Sequence, residues 1–256
     1  PRYRRARLLG EQPVHGLARR YLEELSQTLR PGTTKSIRYA LELLSSHLGN
    51  KQKIGELSTD TARDILKLIS KLSPNVRKYR EGQKAGLSEL VKLSKQVEPD
   101  RILAPQTQAR LWKQMLQFLD WCVEQGELSN NPWEHLTIRK KPEVYPHKVL
   151  TDEQVATLLQ AKVRVLNSAL LFGLLTGMRS GEICGLLASD IIRKGNLGRF
   201  ISIQPNAIRQ LKSKAAEREV PLHQILEQLL DTALPTQGKL FPRLTVDRVV
   251  KAYAKL

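Results

Sequence analysis

Apolar residues recur at helical spacing through most of the chain. In LARRYLEELSQTL, Leu17, Tyr21, Leu22 and Leu25 share one side, which predicts an amphipathic helix from His15 that ends at Pro31-Gly32. TTKSIRYALELLSSHLG predicts a second helix, with Thr33 at the cap position and Gly49 as its stop. STDTARDILKLISKL predicts a third, capped by Ser58 and finished before Pro74. Residues 75–104 are charged and weakly periodic and read as a loop with one short helix. PQTQARLWKQMLQFLDWCVEQGEL carries the strongest stripe of this half: Leu111, Met115, Phe118, Leu119 and Cys122 on one face, with Gly126 at its end. SNNPWEHL is then a turn.

The pattern breaks at 138–148, IRKKPEVYPHK, which is basic, holds two prolines and has no apolar stripe. It reads as an exposed linker, with one helical domain over 1–137 and a second domain over 149–256. In the second, Thr151 and Gln154 form a capping-box pair at the start of LTDEQVATLLQA, VRVLNSALLFGLLTG is a buried helix, and SGEICGLLASD is a third. The period then shortens to two. GRFISIQ and REVPLH alternate as strands with AIRQLKSKAAE between them, before QILEQLLDTAL and TVDRVVKAYAKL return to helix. The expected class is mainly α, in two domains, with a small antiparallel sheet in the second.

Charge narrows the partner. The 42 Lys and Arg against 25 Asp and Glu leave a net +17, which favours a polyanion, most simply nucleic acid. No basic amphipathic stretch carries Trp or Phe for a membrane surface, no apolar run is long enough to span a bilayer, and PRYRRARLLGEQP has no signal-peptide core. Cys122 and Cys184 sit in apolar helical context and read as buried thiols of a reducing compartment. The expectation is a cytoplasmic, nucleoid-associated protein.

The chemistry concentrates in ALLFGLLTGMRSGEICGLLASDI, where Arg179 stands alone among apolar and small residues. A guanidinium cannot shed its charge, so it needs an anion. Either Glu182, one turn on, is that anion, or it comes from outside.

TGMRSGEICGL, then SDI, then LKSKAAEREVPLH resembles the tyrosine recombinases, the phage-integrase group of DNA strand-exchange enzymes. The resemblance runs over roughly residues 15–256. QTQARLWKQMLQFLDWCVEQGELSNNPWEHL looks like the end of that family's SAM-like core-binding domain, and LTDEQVATLLQA like the first helix of its α+β catalytic domain. What the resemblance implies is attack on a phosphodiester by a tyrosine, giving a 3′-phosphotyrosyl link and a free 5′-hydroxyl without metal or cofactor. The protein must then supply the cations that stabilise the transition state. Arg179 takes the place of the first catalytic arginine, with Glu182 as its orienting residue. Lys212 takes the place of the lysine that protonates the leaving oxygen, with Arg218, Val220, Pro221 and Leu222 in register. Lys214 is the second choice, since an extended strand would turn both lysines to one face.

The sequence then departs from the family. After Lys212 it holds no H-x-x-R and no further His or Trp beyond His223, which reads as a packing residue or a cap. The one tyrosine there, Tyr253, lies in a helix that resembles the element before the missing histidine motif. The catalytic domain is therefore expected to be partial. The chain should bind DNA without cutting it, and exposed apolar surface should favour self-association, as dimer or tetramer on paired sites. A non-catalytic DNA-binding protein on the same fold is the alternative, and an unrelated RNA-binding protein a third reading.

For duplex DNA the candidate contacts are Lys35 and Arg38 on one helix, Thr107, Arg110 and Lys113 on another, and Arg139, Lys140 and Lys141 in the linker. Spacing by three puts each helical pair on a shared face; solvated faces of amphipathic helices would look the same. Trp121 and Trp133 read as core, while Trp112 leaves base stacking open.

Overall fold

Pro31 opens a helix rather than closing one. The computed structural model describes residues 9–136, 149–160 and 164–253, with 164–166 and 253 through their backbone alone. In it, α1 (Val14–Thr28) ends at an extended Leu29, and α2 (Pro31–Leu48) starts after an extended Arg30. Proline suits the first helical position, where its missing N–H would have no partner and its fixed φ is already helical. Thr33 therefore lies inside the first turn and caps nothing. Ser58 does cap α3 (Thr59–Ile69), its Oγ accepting the Thr61 N–H at 3.2 Å. α4 (Leu87–Val97) and α5 (Pro105–Glu124) complete the first unit, which spans residues up to 145.

The apolar stripes meet in one core. Leu17, Leu41, Leu44, Ile65, Leu90, Leu111 and Phe118 are almost wholly buried there. All three tryptophans belong to it, with their indole N–H groups satisfied: Trp112 by the Leu136 carbonyl at 2.8 Å, Trp121 by the Glu24 carboxylate at 3.1 Å, and Trp133 by the Ser58 carbonyl at 2.9 Å. Trp112 stacks on Trp133 at 5.3 Å, so the ring whose role the sequence left open is core and not a platform for bases. Cys122 is free and buried; burial, then the nearby Glu127, pushes its thiol up to about 12, which leaves it inert.

The segment before α1 is laced onto this core. Gly10 donates its N–H to the Glu127 carbonyl at 2.9 Å and accepts the Gly55 N–H at 3.0 Å, and a side chain on Gly10 would meet the Gly55 Cα at 2.8 Å. Only glycine fits that approach, and Gly10 also has φ +82°.

The second unit begins at residue 146. α6 (Asp152–Gln160) opens with the reciprocal pair expected of it: Thr151 donates its N–H to Gln154 Oε1 at 3.0 Å, and Gln154 returns its N–H to Thr151 Oγ1 at 3.3 Å. α7 (Arg164–Thr176) is followed by α8 (Ser180–Cys184), only five residues where a longer helix was expected. Gly185 ends it, and a 3-10 turn over Ala188–Asp190 leads into a strand. β1 (Ile191–Arg193), β2 (Arg199–Ile203) and β3 (Arg218–Pro221) form an antiparallel sheet in the order β1-β2-β3. Ile201 pairs with Ile191 on one side and Val220 on the other. β1 was not expected.

α9 (Gln224–Thr232) and α10 (Val246–Tyr253) follow. His223 caps α9, its Nδ1 accepting the Ile225 N–H at 3.2 Å. Phe172 and Phe241 meet edge to face at 5.5 Å in the centre of the core, with Ile201, Ile203, Leu186 and Leu226 around them. Leu174, Val246 and Val250 stay exposed on the outside, the apolar surface expected of a partial domain. Among the described residues no helix is long and apolar enough to cross a membrane.

Beneath the sheet lies a buried ion pair that the sequence did not announce. Asp190 Oδ2 accepts Arg209 Nη1 at 3.0 Å, the Leu187 N–H at 2.9 Å and Asn206 Nδ2 at 3.1 Å. Arg209, 3% exposed, gives its remaining donors to the Gln204 and Ser202 carbonyls. Its methylenes lie against Gly185, where an added Cβ would come within 2.8 Å of Arg209 Cβ.

Candidate functional site: an arginine held by a shared carboxylate

α7 stops because Thr176 turns its hydroxyl back onto the Phe172 carbonyl and Gly177 takes φ +63°. Met178, 6% exposed, then pins the connection to the core. Arg179 follows in extended conformation at the entry to α8. Its backbone N–H donates to Glu182 Oε2 at 3.0 Å, and its Nη1 donates to Glu182 Oε1 at 2.8 Å. The partner is therefore internal, but only in part. Glu182 is buried, whereas the Arg179 side chain is 63% exposed and presents its other N–H groups to solvent.

Glu182 has a second cation. Arg218 Nη2 donates to its Oε2 at 2.9 Å. Burial acts to raise the Glu182 pKa, but hydrogen bonds from Arg218, then from the Arg179 backbone and guanidinium, outweigh it and hold the carboxyl below its ordinary value. One carboxylate thus lies between two guanidiniums, and the group keeps a net positive charge facing water. Arg218 had been noted only for its place in the motif; nothing in the spacing of residues 182 and 218 indicates that they meet.

The lysines stand differently from expectation. Lys212 lies in a bend, Lys214 opens a 3-10 turn over Lys214–Ala216, and β3 begins only at Arg218. The two are therefore not alternate residues of one extended strand, and the argument that they share a face fails. Leu211 and Ala216 are buried on either side, which holds residues 212–215 out in solvent. Both lysines are exposed, and among the described residues no carboxylate pairs with either. Arg218 Nη1 donates to the Ala216 carbonyl at 3.0 Å, so this turn is tied to the guanidinium that also holds Glu182.

In the first unit, α2 and α5 pack together, joined by Gln114 Nε2 donating to Ser36 Oγ at 3.0 Å. Lys35 and Arg38 on α2, and Arg110 and Lys113 on α5, are exposed beside that joint, and Thr107 is half-buried. Arg38 also borders a cleft of about 630 Å³ with Arg19, Arg77 and Lys84, along with Glu23 and Glu42. Arg139, Lys140 and Lys141 lie outside the described residues.

No protein-family model and no curated protein sequence matches the chain. Solved structures do. A lambda integrase tetramer bound to a Holliday junction superposes with a TM-score of 0.65 at 14% identity, over 96% of this chain and 66% of that one. A lambda integrase dimer bound to a COC' core site gives 0.63 at 14% identity, over 95% and 77%. The Tn1549 transposon integrase in complex with transposon right end DNA gives 0.60 at 14% identity, over 95% and 79%. Against the longer lambda integrase chains this chain spans under two thirds of the length, 66% and 62%. A helical first unit and a helical second unit with a three-stranded antiparallel sheet, in this order along the chain, are the fold of the tyrosine recombinases.

Proposed function

We propose that the chain binds duplex DNA through both units and carries part of the active site of a site-specific recombinase. Its boundaries for this purpose are a core-binding domain over 1–137, a linker over 138–148 and a partial catalytic domain over 149–256. When the second arginine and the tyrosine are also supplied, strands would be broken and rejoined through a 3′-phosphotyrosyl intermediate. Arg179 would meet the non-bridging phosphate oxygens with its planar fork, and Glu182 would orient it. Lys212, or Lys214 in its place, would protonate the leaving 5′-oxygen. Lys35, Arg38, Thr107, Arg110 and Lys113, with Arg139, Lys140 and Lys141 of the linker, would take phosphates of the duplex. The observation that carries the reading is Arg179, fixed at one edge by Glu182 and open at the other. The net charge of +17 supports a polyanion, and the lambda and Tn1549 integrases with the same fold are seen with DNA. Pairing of copies on inverted half-sites would bring the exposed Leu174, Val246 and Val250 into use.

Binding to a duplex, measured over a salt series, tests this directly. If about eight phosphates are neutralised, log K falls against log salt with a slope of about −7. Equal or tighter binding to an RNA hairpin at matched salt would sink the reading. This chain by itself should yield no covalent protein–DNA product, because its only tyrosine after Lys212 is Tyr253. That same observation supports a second reading, a non-catalytic DNA-binding protein. A chain that supplies the tyrosine decides between them: in the recombinase, covalent complex forms and Arg179→Ala abolishes it, whereas in the second reading it never forms.

A further inference from the structure

We propose that Arg218 is a positioning residue, which sets the fork of Arg179 through their shared carboxylate and ties it to the lysine-bearing turn. The inference deepens the DNA-phosphate reading of Arg179 and rests on it for one of its two measurements.

Three features lead there. The first is the division of labour on Glu182. Its Oε1 takes the Arg179 guanidinium, while its Oε2 takes both the Arg179 backbone N–H and Arg218 Nη2. With Arg218 gone, Oε2 has an open lone pair facing a guanidinium that can rotate toward it. The N–H groups Arg179 now shows to solvent would turn inward. The second is charge. Glu182 is buried, so its negative charge acts on its neighbours with little screening. Two guanidiniums around one carboxylate leave one positive charge for an incoming anion; one guanidinium leaves none. The third is connectivity. The other end of the same fork, Nη1, holds the Ala216 carbonyl, which closes the turn beginning at Lys214. One side chain thus bridges the two pieces of sequence that carry the candidate cations. Arg218 is only about a third exposed and both ends of its fork are occupied, which suits a strut better than a phosphate contact.

The test is a double-mutant cycle on affinity for a random-sequence duplex, with Arg179→Ala, Arg218→Ala and the pair. Arg218→Ala should weaken binding about tenfold when Arg179 is present and less than about twofold when it is absent. The salt slope should stay as it is, whereas loss of a direct phosphate contact would lower it by about 0.9. Arg218→Lys, which keeps the charge and one N–H for Glu182, should recover part of the loss. Equal losses in both backgrounds, or a reduced slope, overturn the proposal. A measurement without DNA separates its failure from that of the parent reading: rotation of the Arg179 guanidinium about its Nε–Cζ bond, followed by nitrogen-15 NMR. Arg218→Ala should change that rate while Arg218→Lys keeps it near the original, and no change in either variant overturns the proposal. If Arg179→Ala leaves duplex affinity untouched, the phosphate reading of Arg179 fails, and the rotation rates alone decide the role of Arg218. Should Arg218→Ala not fold, Arg218→Gln takes its place in both measurements.

Discussion

Replacing Asp190 by alanine should cost the second unit about 3–5 kcal/mol, because it strands a permanent cation in the core. Arg209 is 3% exposed and cannot deprotonate, and its methylenes are pressed against Gly185, so it has no route to solvent without moving the backbone. The Asp190 carboxylate also holds the Leu187 N–H and Asn206, which would lose their partner together with the arginine. Arg209→Ala should be comparably severe, since it orphans the Gln204 and Ser202 carbonyls as well as the buried carboxylate. The double substitution should cost clearly less than the sum of the two, as for any pair in direct contact. Urea denaturation followed by circular dichroism, with hydrogen exchange at the β2 amides, measures all three. A loss below about 1 kcal/mol, the range of an exposed pair, would contradict the geometry.

The second large effect belongs to the first unit. Trp133→Ala should destabilise it by about 3–5 kcal/mol, the usual range for deleting a buried aromatic side chain. Trp133 is fully buried, stacks on Trp112, and donates to the Ser58 carbonyl at the entry to α3. The substitution removes packing and also leaves that carbonyl without its indole partner. Fluorescence suits this measurement because Trp112, Trp121 and Trp133 all lie in the first unit, so emission follows that unit alone. Trp133→Phe keeps much of the volume and lacks the N–H, and should fall between the two. Equal stability of the alanine variant and the parent would mean that the ring is not packed as described.

Helices were legible where an apolar stripe at the helical period faces one core, as with Leu111, Met115, Phe118 and Leu119 of α5. What misled was punctuation. Pro31 reads equally well as a stop or as a first residue, and the choice depends on whether Leu29 and Arg30 are extended. β1 was invisible because three residues are too few to display a period of two, and it exists only through pairing with β2. At the site, the Arg179–Glu182 pair could be read from their spacing on one helix turn. Its second cation could not, since Arg218 reaches Glu182 only after β3 folds beside α8. Arg209 was missed for the same reason: its partner, Asp190, is brought to it by the sheet. The motif placed Lys212 and Lys214 beside the strand, but the turn at Lys214–Ala216 decides where they stand.

The lacing of Gly10 to Gly55 and to Glu127 has a practical corollary for dissecting the molecule. These bonds join chain ends more than a hundred positions apart, so loop closure must precede them and they form among the last contacts in folding. A fragment of the helical half that starts at α1 would keep every helix yet leave the Glu127 carbonyl and the Gly55 amide open to water. Any minimal version of that half should therefore begin ahead of Gly10 and run past Trp133.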